Sequence, residues 1–152
     1  MLTETAQSRS RDPIVQFSVF TPNRLGRLRD LMSVLGGQNV HVLALAILDT
    51  TDSAIIRIVL DDPDRARGLL VEQGFPFSES EMVVVEINSA LEMHKLTTAL
   101  LEAELNINYL YSFIPYPDGK PVLCLSMEDN EMAEQVLMSH RFRILRQADI
   151  AR

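Results

Sequence analysis

Apolar residues recur along this chain with two different periods, and the period changes at turn-forming residues. Residues 14–20 are a β-branched and aromatic run and predict a strand. After the turn Thr21-Pro-Asn-Arg-Leu-Gly, Leu25, Leu28, Leu31, Met32 and Leu35 form the stripe of an amphipathic helix, closed by Gly36-Gly37. Residues 40–48 and 54–60 predict two further strands about a turn at 49–52. Asp61-Asp-Pro-Asp opens a second helix whose inward face is Ala66, Leu69 and Leu70 and whose stop is Gly74. A short fourth strand over 75–79 completes β-α-β-β-α-β.

The same order then begins again. Strands are predicted at 82–87, 107–114, 122–127 and 142–148, with helices at 91–104 and 130–139. Leu28 and Leu96, Leu35 and Ala103, and Leu69 and Leu137 each stand 68 positions apart, which reads as an internal duplication. A βαββαβ unit closes as a four-stranded antiparallel sheet with both helices on one face. The expectation is an α+β fold of two ferredoxin-like βαββαβ repeats with their antiparallel sheets paired in one chain. Residues 1–13 would form a solvated tail, 14–80 the first repeat and 81–152 the second.

Composition narrows the function. The hydrophobic fraction of 47% and charged fraction of 23% are those of a globular protein, and with no Trp the core must be aliphatic. The net charge of −7 disfavours nucleic acid, because an acidic surface repels phosphate and Arg24, Arg27 and Arg29 are too few to reverse it. No apolar run approaches a bilayer span, and the first residues lack a signal-peptide core, so no membrane association and a cytoplasmic location are expected. Cys124 is the sole cysteine and reads as a small buried hydrophobe. His41, His94 and His140 lie on different elements without metal-ligand spacing, and no nucleophile elbow or phosphate loop is present. Neither catalysis, nor a metal, nor a cofactor is therefore expected.

The turn Asn23-Arg-Leu-Gly26 carries the candidate chemistry. Gly26 lets backbone pass close to another group, and the helix that starts there offers free N–H groups and its positive dipole end to a carboxylate. Asn23 can hold a ligand's amino group or simply cap the helix, and Gly26 can equally serve close packing. Tyr109 and Tyr111 share one strand face, where their rings can wall a ligand or be divided between core and surface.

The run Pro22-Asn-Arg-Leu-Gly-Arg-Leu, followed by a helix and Asn39-Val-His-Val-Leu-Ala-Leu, resembles the ACT domain of amino-acid-binding regulatory proteins. The second half, with Asn106-Ile-Asn-Tyr-Leu-Tyr-Ser-Phe113, looks like the second unit of tandem ACT proteins, some of them relatives of the small regulatory subunit of acetolactate synthase. The resemblance covers residues 14–150. It implies a ligand between two ACT units, held by Asn23, Arg24, Leu25 and Gly26 with Tyr109, Leu110 and Tyr111. A second pseudo-site would use Leu91, Met93 and His94 with Val42, Leu43 and Ala44. At the offset of 68, Asn23 becomes Leu91 and Gly26 becomes His94, so only the first site is expected to bind. Two readings remain open: an amino-acid sensor or regulatory subunit that docks on a metabolic enzyme and forms a homodimer, or an interaction module whose ligand site has decayed.

Overall fold

The computed structural model describes residues 11–22, 24–115 and 119–151. The turn residues 116–118 and most of the expected tail lie outside the described residues. The chain divides into two compact units, over Val15–Ser80 and over Glu81–Ile150, and residues 11–14 group with the second, where the Asp12 carbonyl accepts from the Gln147 N–H at 3.0 Å.

In the first unit the elements are β1 (Ile14–Pro22), α1 (Arg27–Gly37), β2 (Val42–Asp49), β3 (Ser53–Leu60), α2 (Pro63–Glu72) and the start of β4 (Phe77–Glu86). Strand order is β2-β3-β1-β4, the antiparallel ferredoxin-like arrangement. Phe17, Val19, Ile56 and Ile58 meet Leu31, Leu35, Ala66 and Leu70, so both helices cover one sheet face. Asp62 caps α2 by accepting from the Arg65 N–H at 3.2 Å, with Pro63 at the first helical position, as the acidic start predicts. Arg67 joins α2 to β4 by donating to both Glu79 oxygens and to Asp64, which holds the Glu79 carboxyl below its ordinary range.

The second unit holds the rest of β4, a 3₁₀ turn (Ala90–Glu92), α3 (Met93–Glu102), β5 (Ile107–Ser112), β6 (Val122–Met127), α4 (Asn130–Ser139), β7 (Arg143–Ile144) and a helical turn α5 (Gln147–Ile150). Its order is β7-β4-β6-β5, the same topology. Val83, Val85, Leu123 and Leu125 pack under Leu96, Leu100, Ala133 and Leu137. Asp129 caps α4 through the Met132 N–H at 3.0 Å, as Asp62 does for α2.

Three expectations are corrected. The strands expected at 75–79 and 82–87 are one ten-residue strand, because Ser78-Glu-Ser-Glu81 contains no Gly, Pro or Asn to turn the chain. The last strand stops at Ile144. There the Arg146 guanidinium is drawn to both oxygens of Glu134 (3.0 and 2.9 Å) and Asp149 accepts from the Arg146 N–H at 2.7 Å, which favours a helical turn.

The third correction concerns the repeat register. Val40 N–H bonds Leu35 O and Leu105 N–H bonds Leu100 O, both at 3.0 Å, so Leu35 corresponds to Leu100, 65 positions on. The bulges at Val42/Ala44 and Ile107/Tyr109 keep that offset. Phe75 N–H bonds Leu70 O and Phe142 N–H bonds Leu137 O, an offset of 67. The expected offset of 68 misplaced the first helix by three residues, nearly one turn. Such a slip leaves an amphipathic stripe almost in phase and so goes unseen in the sequence. Ala103, the expected partner of Leu35, is exposed.

Two side-chain links support the new register. His41 donates its N–H to Asp61 Oδ1 and places Nδ1 by Oδ2, both at 2.8 Å, and Asn106 donates from Nδ2 to Glu128 at 3.2 Å. Each tethers the start of one edge strand to the end of its neighbour, at corresponding places in the two repeats.

Candidate half-sites on the two repeats

In the first unit, β1 ends at Pro22 and residues 24–26 form an exposed turn. The Arg24 N–H donates to Pro22 O at 2.8 Å and the Arg27 N–H to Arg24 O at 3.3 Å. Gly26 precedes α1 with φ 92°, a left-handed conformation that L side chains rarely adopt, and among the described residues no side chain caps the helix. A Cβ built on Gly26 meets nothing within 4 Å, so backbone conformation and not close packing calls for glycine here. Asn23 lies outside the described residues. Arg24 is exposed, and Leu25 projects wholly into solvent. Arg27, the first residue of α1, is held back: its guanidinium stacks 4.6 Å from the Phe75 ring centroid and reaches Asp30 at 3.3 Å. This leaves Arg24 as the cation of the turn itself.

On β2, Leu43 and Ala44 are buried and Val42 half-buried. Val42 packs against the core under the helices.

In the second unit the structure brings Tyr109 and Tyr111 together. Both are half-buried on one face of β5, with ring centroids 6.4 Å apart and planes inclined by 17°. Leu110 points to the other face and is exposed. The rings are thus not divided between core and surface but form one stacked, half-buried pair. Their neighbours across β6 are Ser126 and Cys124. Burial pushes the Cys124 thiol up to about 12, against the smaller opposite effect of its hydrogen bond with Tyr111. A thiol so raised is no nucleophile near neutral pH. Alkylation at pH 8 is therefore expected to fail on the folded protein and to go to completion in denaturant; equal rates in the two states would contradict the burial. The same shift sets a pH window. The neutral buried thiol stabilises the fold fully below its ordinary value of 9.0, and that stability is lost as pH rises towards about 12.

The second loop differs from expectation. Leu91 and His94 are exposed, while Met93 is half-buried against the core of its unit. Counting back 65 from α3 sets Asn88 against Asn23, whereas the strand pairings of Val19 with Ile56 and Val85 with Leu123 set β1 and β4 66 apart and Asn88 against Pro22, so the two loops differ in length by one residue. The Asn88 Nδ2 donates to Glu92 Oε1 at 2.7 Å and its N–H to Oε2 at 3.3 Å. Sequence reading missed this pair, although Ser89-Ala-Leu-Glu92 has the spacing of a capping box and marks Glu92 as a residue of a helix start. It also missed Gln16 and Ser18, buried polar side chains joined at 3.2 Å, whose signal was the polar alternation within an apolar strand.

A surface hollow in the second unit is lined by Glu104, Glu128 and Asp129 beside Leu105, Met127 and Asn130. Its carboxylates repel an amino acid's own, which argues against it as the ligand site. Among the described residues no group of three or more His, Cys, Asp or Glu could hold a metal ion, and no helix is long and apolar enough to cross a membrane.

Comparison with known proteins bears on the family. A family model described as an ACT domain pair matches residues 13–152. The protein BT0572 from Bacteroides thetaiotaomicron superposes with a TM-score of 0.83 at 24% identity, covering 91% of this chain and 95% of that one. The ligand-free regulatory subunit of aspartate kinase from Thermus thermophilus gives 0.60 at 15% identity, over 85% and 91%. Its counterpart from Thermus flavus gives 0.56 at 16%, over 85% and 92%. At these identities the likeness is one of fold. No curated protein sequence matches the chain significantly. With two βαββαβ units of the same topology and a family match across nearly its whole length, the chain belongs to the ACT domain pair family.

Proposed function

We propose that this ACT domain pair is a non-catalytic regulatory module that binds a free amino acid. Asn23, Arg24, Leu25 and Gly26 of the first repeat would supply one half of the site, and Tyr109, Leu110 and Tyr111 of the second repeat the other. The observation that carries the reading is the exposed turn at the start of α1. Its glycine is left-handed, its helix end has no side-chain cap among the described residues, and its cation Arg24 faces solvent. Such an end offers N–H groups and a positive dipole to an α-carboxylate, and Arg24 adds a charge. The stacked tyrosines supply an apolar wall with polar rims for the ligand's side chain. The second loop with Leu91, Met93 and His94, together with Val42, Leu43 and Ala44 of β2, is structural in this scheme.

Regulation then works by linkage: the amino acid favours one arrangement of the protein over another and so changes its docking on a cytoplasmic metabolic enzyme. The fold it shares with aspartate kinase regulatory subunits supports a regulatory role. A homodimer is part of the proposal, since β2 and β5 leave sheet edges that a second copy can pair. The alternative, an interaction module whose ligand site has decayed, is favoured by Leu25 and Leu91, two almost fully exposed leucines suited to a protein contact.

Thermal unfolding with each of the twenty amino acids added singly decides between them. An amino acid at roughly 100 times its Kd adds about 2.7 kcal/mol to stability. A clear rise in melting temperature with one or a few amino acids is expected. No rise with any of them would refute the sensor and favour the interaction module.

A further inference from the structure

The helices of the two repeats turn unlike surfaces to solvent. Each pair covers its sheet with one side and leaves the other side exposed. In the first repeat that outer side is flat and basic. Its helices carry Arg27, Arg29, Arg65 and Arg67 against Asp30, Asp64 and Glu72. Arg27 and Arg67 are tied to carboxylates of their own repeat, whereas Arg29 and Arg65 are exposed with no carboxylate partner among the described residues. Gly36 and Gly68 lie within these helices and are exposed. Neither has a positive φ, and a Cβ on either meets nothing within 4 Å, so nothing inside the chain calls for glycine there. In the second repeat the outer side is raised and acidic. Its helices carry Lys95 against Glu102, Glu131 and Glu134. Glu134 is bonded to Arg146, while Glu102 and Glu131 are exposed with no cationic partner among the described residues. Leu101, Met132 and Met138 project from the same helices, Leu101 with 75% of its surface in solvent. By the helix-end offsets of 65 and 67, Leu101 stands where the first repeat has Gly36, and Gln135 where it has Gly68.

We propose that these two surfaces dock on each other between copies of this chain, the α1–α2 side of one copy taking the α3–α4 side of another. Charge selects the occupant. Each copy carries both the uncompensated arginines and the uncompensated carboxylates, so a second copy complements either surface. The glycines let the protruding leucine and methionines come close to helix backbone, and burial of those apolar side chains supplies the affinity that exposed ion pairs lack. Every contact pairs unlike repeats, which separates this mode from pairing at the β2 or β5 edge. The inference rests on the self-association proposed above, names its surface, and does not depend on amino-acid binding.

Sedimentation velocity of the full chain tests this with two double variants, Arg29→Glu with Arg65→Glu and Glu102→Lys with Glu131→Lys, each checked for folding by circular dichroism. The wild type is expected to self-associate, and each double variant alone to do so at least about tenfold more weakly, because like charges then meet. An equimolar mixture of the two should recover assembly, since the glutamates of one then meet the lysines of the other. Leu101→Gln, which leaves the charge alone, should weaken assembly too. A monomeric wild type overturns this inference together with the homodimer reading. A wild-type assembly that the charge variants or Leu101→Gln leave unchanged, or a mixture that recovers nothing, overturns the inference alone and leaves the sheet edges as the interface.

Discussion

Replacing Leu100 with alanine is expected to destabilise the second repeat by about 3 kcal/mol, within the range of roughly 2–5 kcal/mol for a buried leucine. The change Ala103→Ser should stay within about 0.5 kcal/mol, as exposed positions usually do. Leu100 is 1% exposed between α3 and the sheet, where its side chain meets the core built around Leu125 and Leu137. Deleting three of its carbons removes apolar burial and leaves a void that rigid neighbours fill poorly. The pair of variants reads the repeat register directly. If Leu35 corresponds to Leu100, the two leucines are equally costly to truncate and Ala103 is indifferent. If Leu35 corresponded to Ala103, the order of sensitivity would reverse. Urea unfolding of Leu100→Ala, Leu35→Ala and Ala103→Ser, followed by circular dichroism, measures this, and a larger loss at Ala103 than at Leu100 would refute the hydrogen-bonded register.

Gly26→Val is expected to weaken amino-acid binding at least about tenfold, the equivalent of 1.4 kcal/mol, and to cost the fold about 1–3 kcal/mol. The two losses share a cause. At φ 92° a β-branched residue is strained whatever space surrounds it, and here there is space, since nothing lies within 4 Å of the Cβ position. The chain relieves the strain by rotating the turn, which re-aims the N–H groups that would receive a carboxylate. Gly26→Asn is the control. Asparagine tolerates positive φ better than other residues, so the turn and most of the stability should survive. Isothermal titration with whichever amino acid raises the melting temperature gives the affinities. Unchanged affinity in Gly26→Val would remove the turn from the site.

The local chemistry was legible because it is local. Asp62 announced the start of α2, and its side chain caps as the sequence implies, while Asp129 caps α4 in the same way without having been singled out. The alternation at Tyr109 and Tyr111 placed both rings on one face. The last strand was misjudged for a different reason. Leu145 fits a strand pattern and is buried, yet the bonds from Arg146 to Glu134 and Asp149 bend the backbone away, and Glu134 lies twelve residues back on another element. The join at residues 78–81 was misjudged because its four polar residues look like a loop when they are the exposed stretch of a strand.

By itself, then, the sequence determined the order of the elements, the duplication, the face each helix buries and the turn that carries Gly26. All of these follow from periodicity and from conformational preferences acting over a few residues. Only the tertiary structure decided which residue of one repeat answers to which of the other, that Arg27 is withdrawn onto Phe75, and that Asn88 is engaged by Glu92. A helix slipped by three residues presents nearly the same apolar stripe, so the pattern alone leaves its register open. Hydrogen bonds between the helix end and the following strand close it, because their directionality and their length near 3 Å admit one alignment.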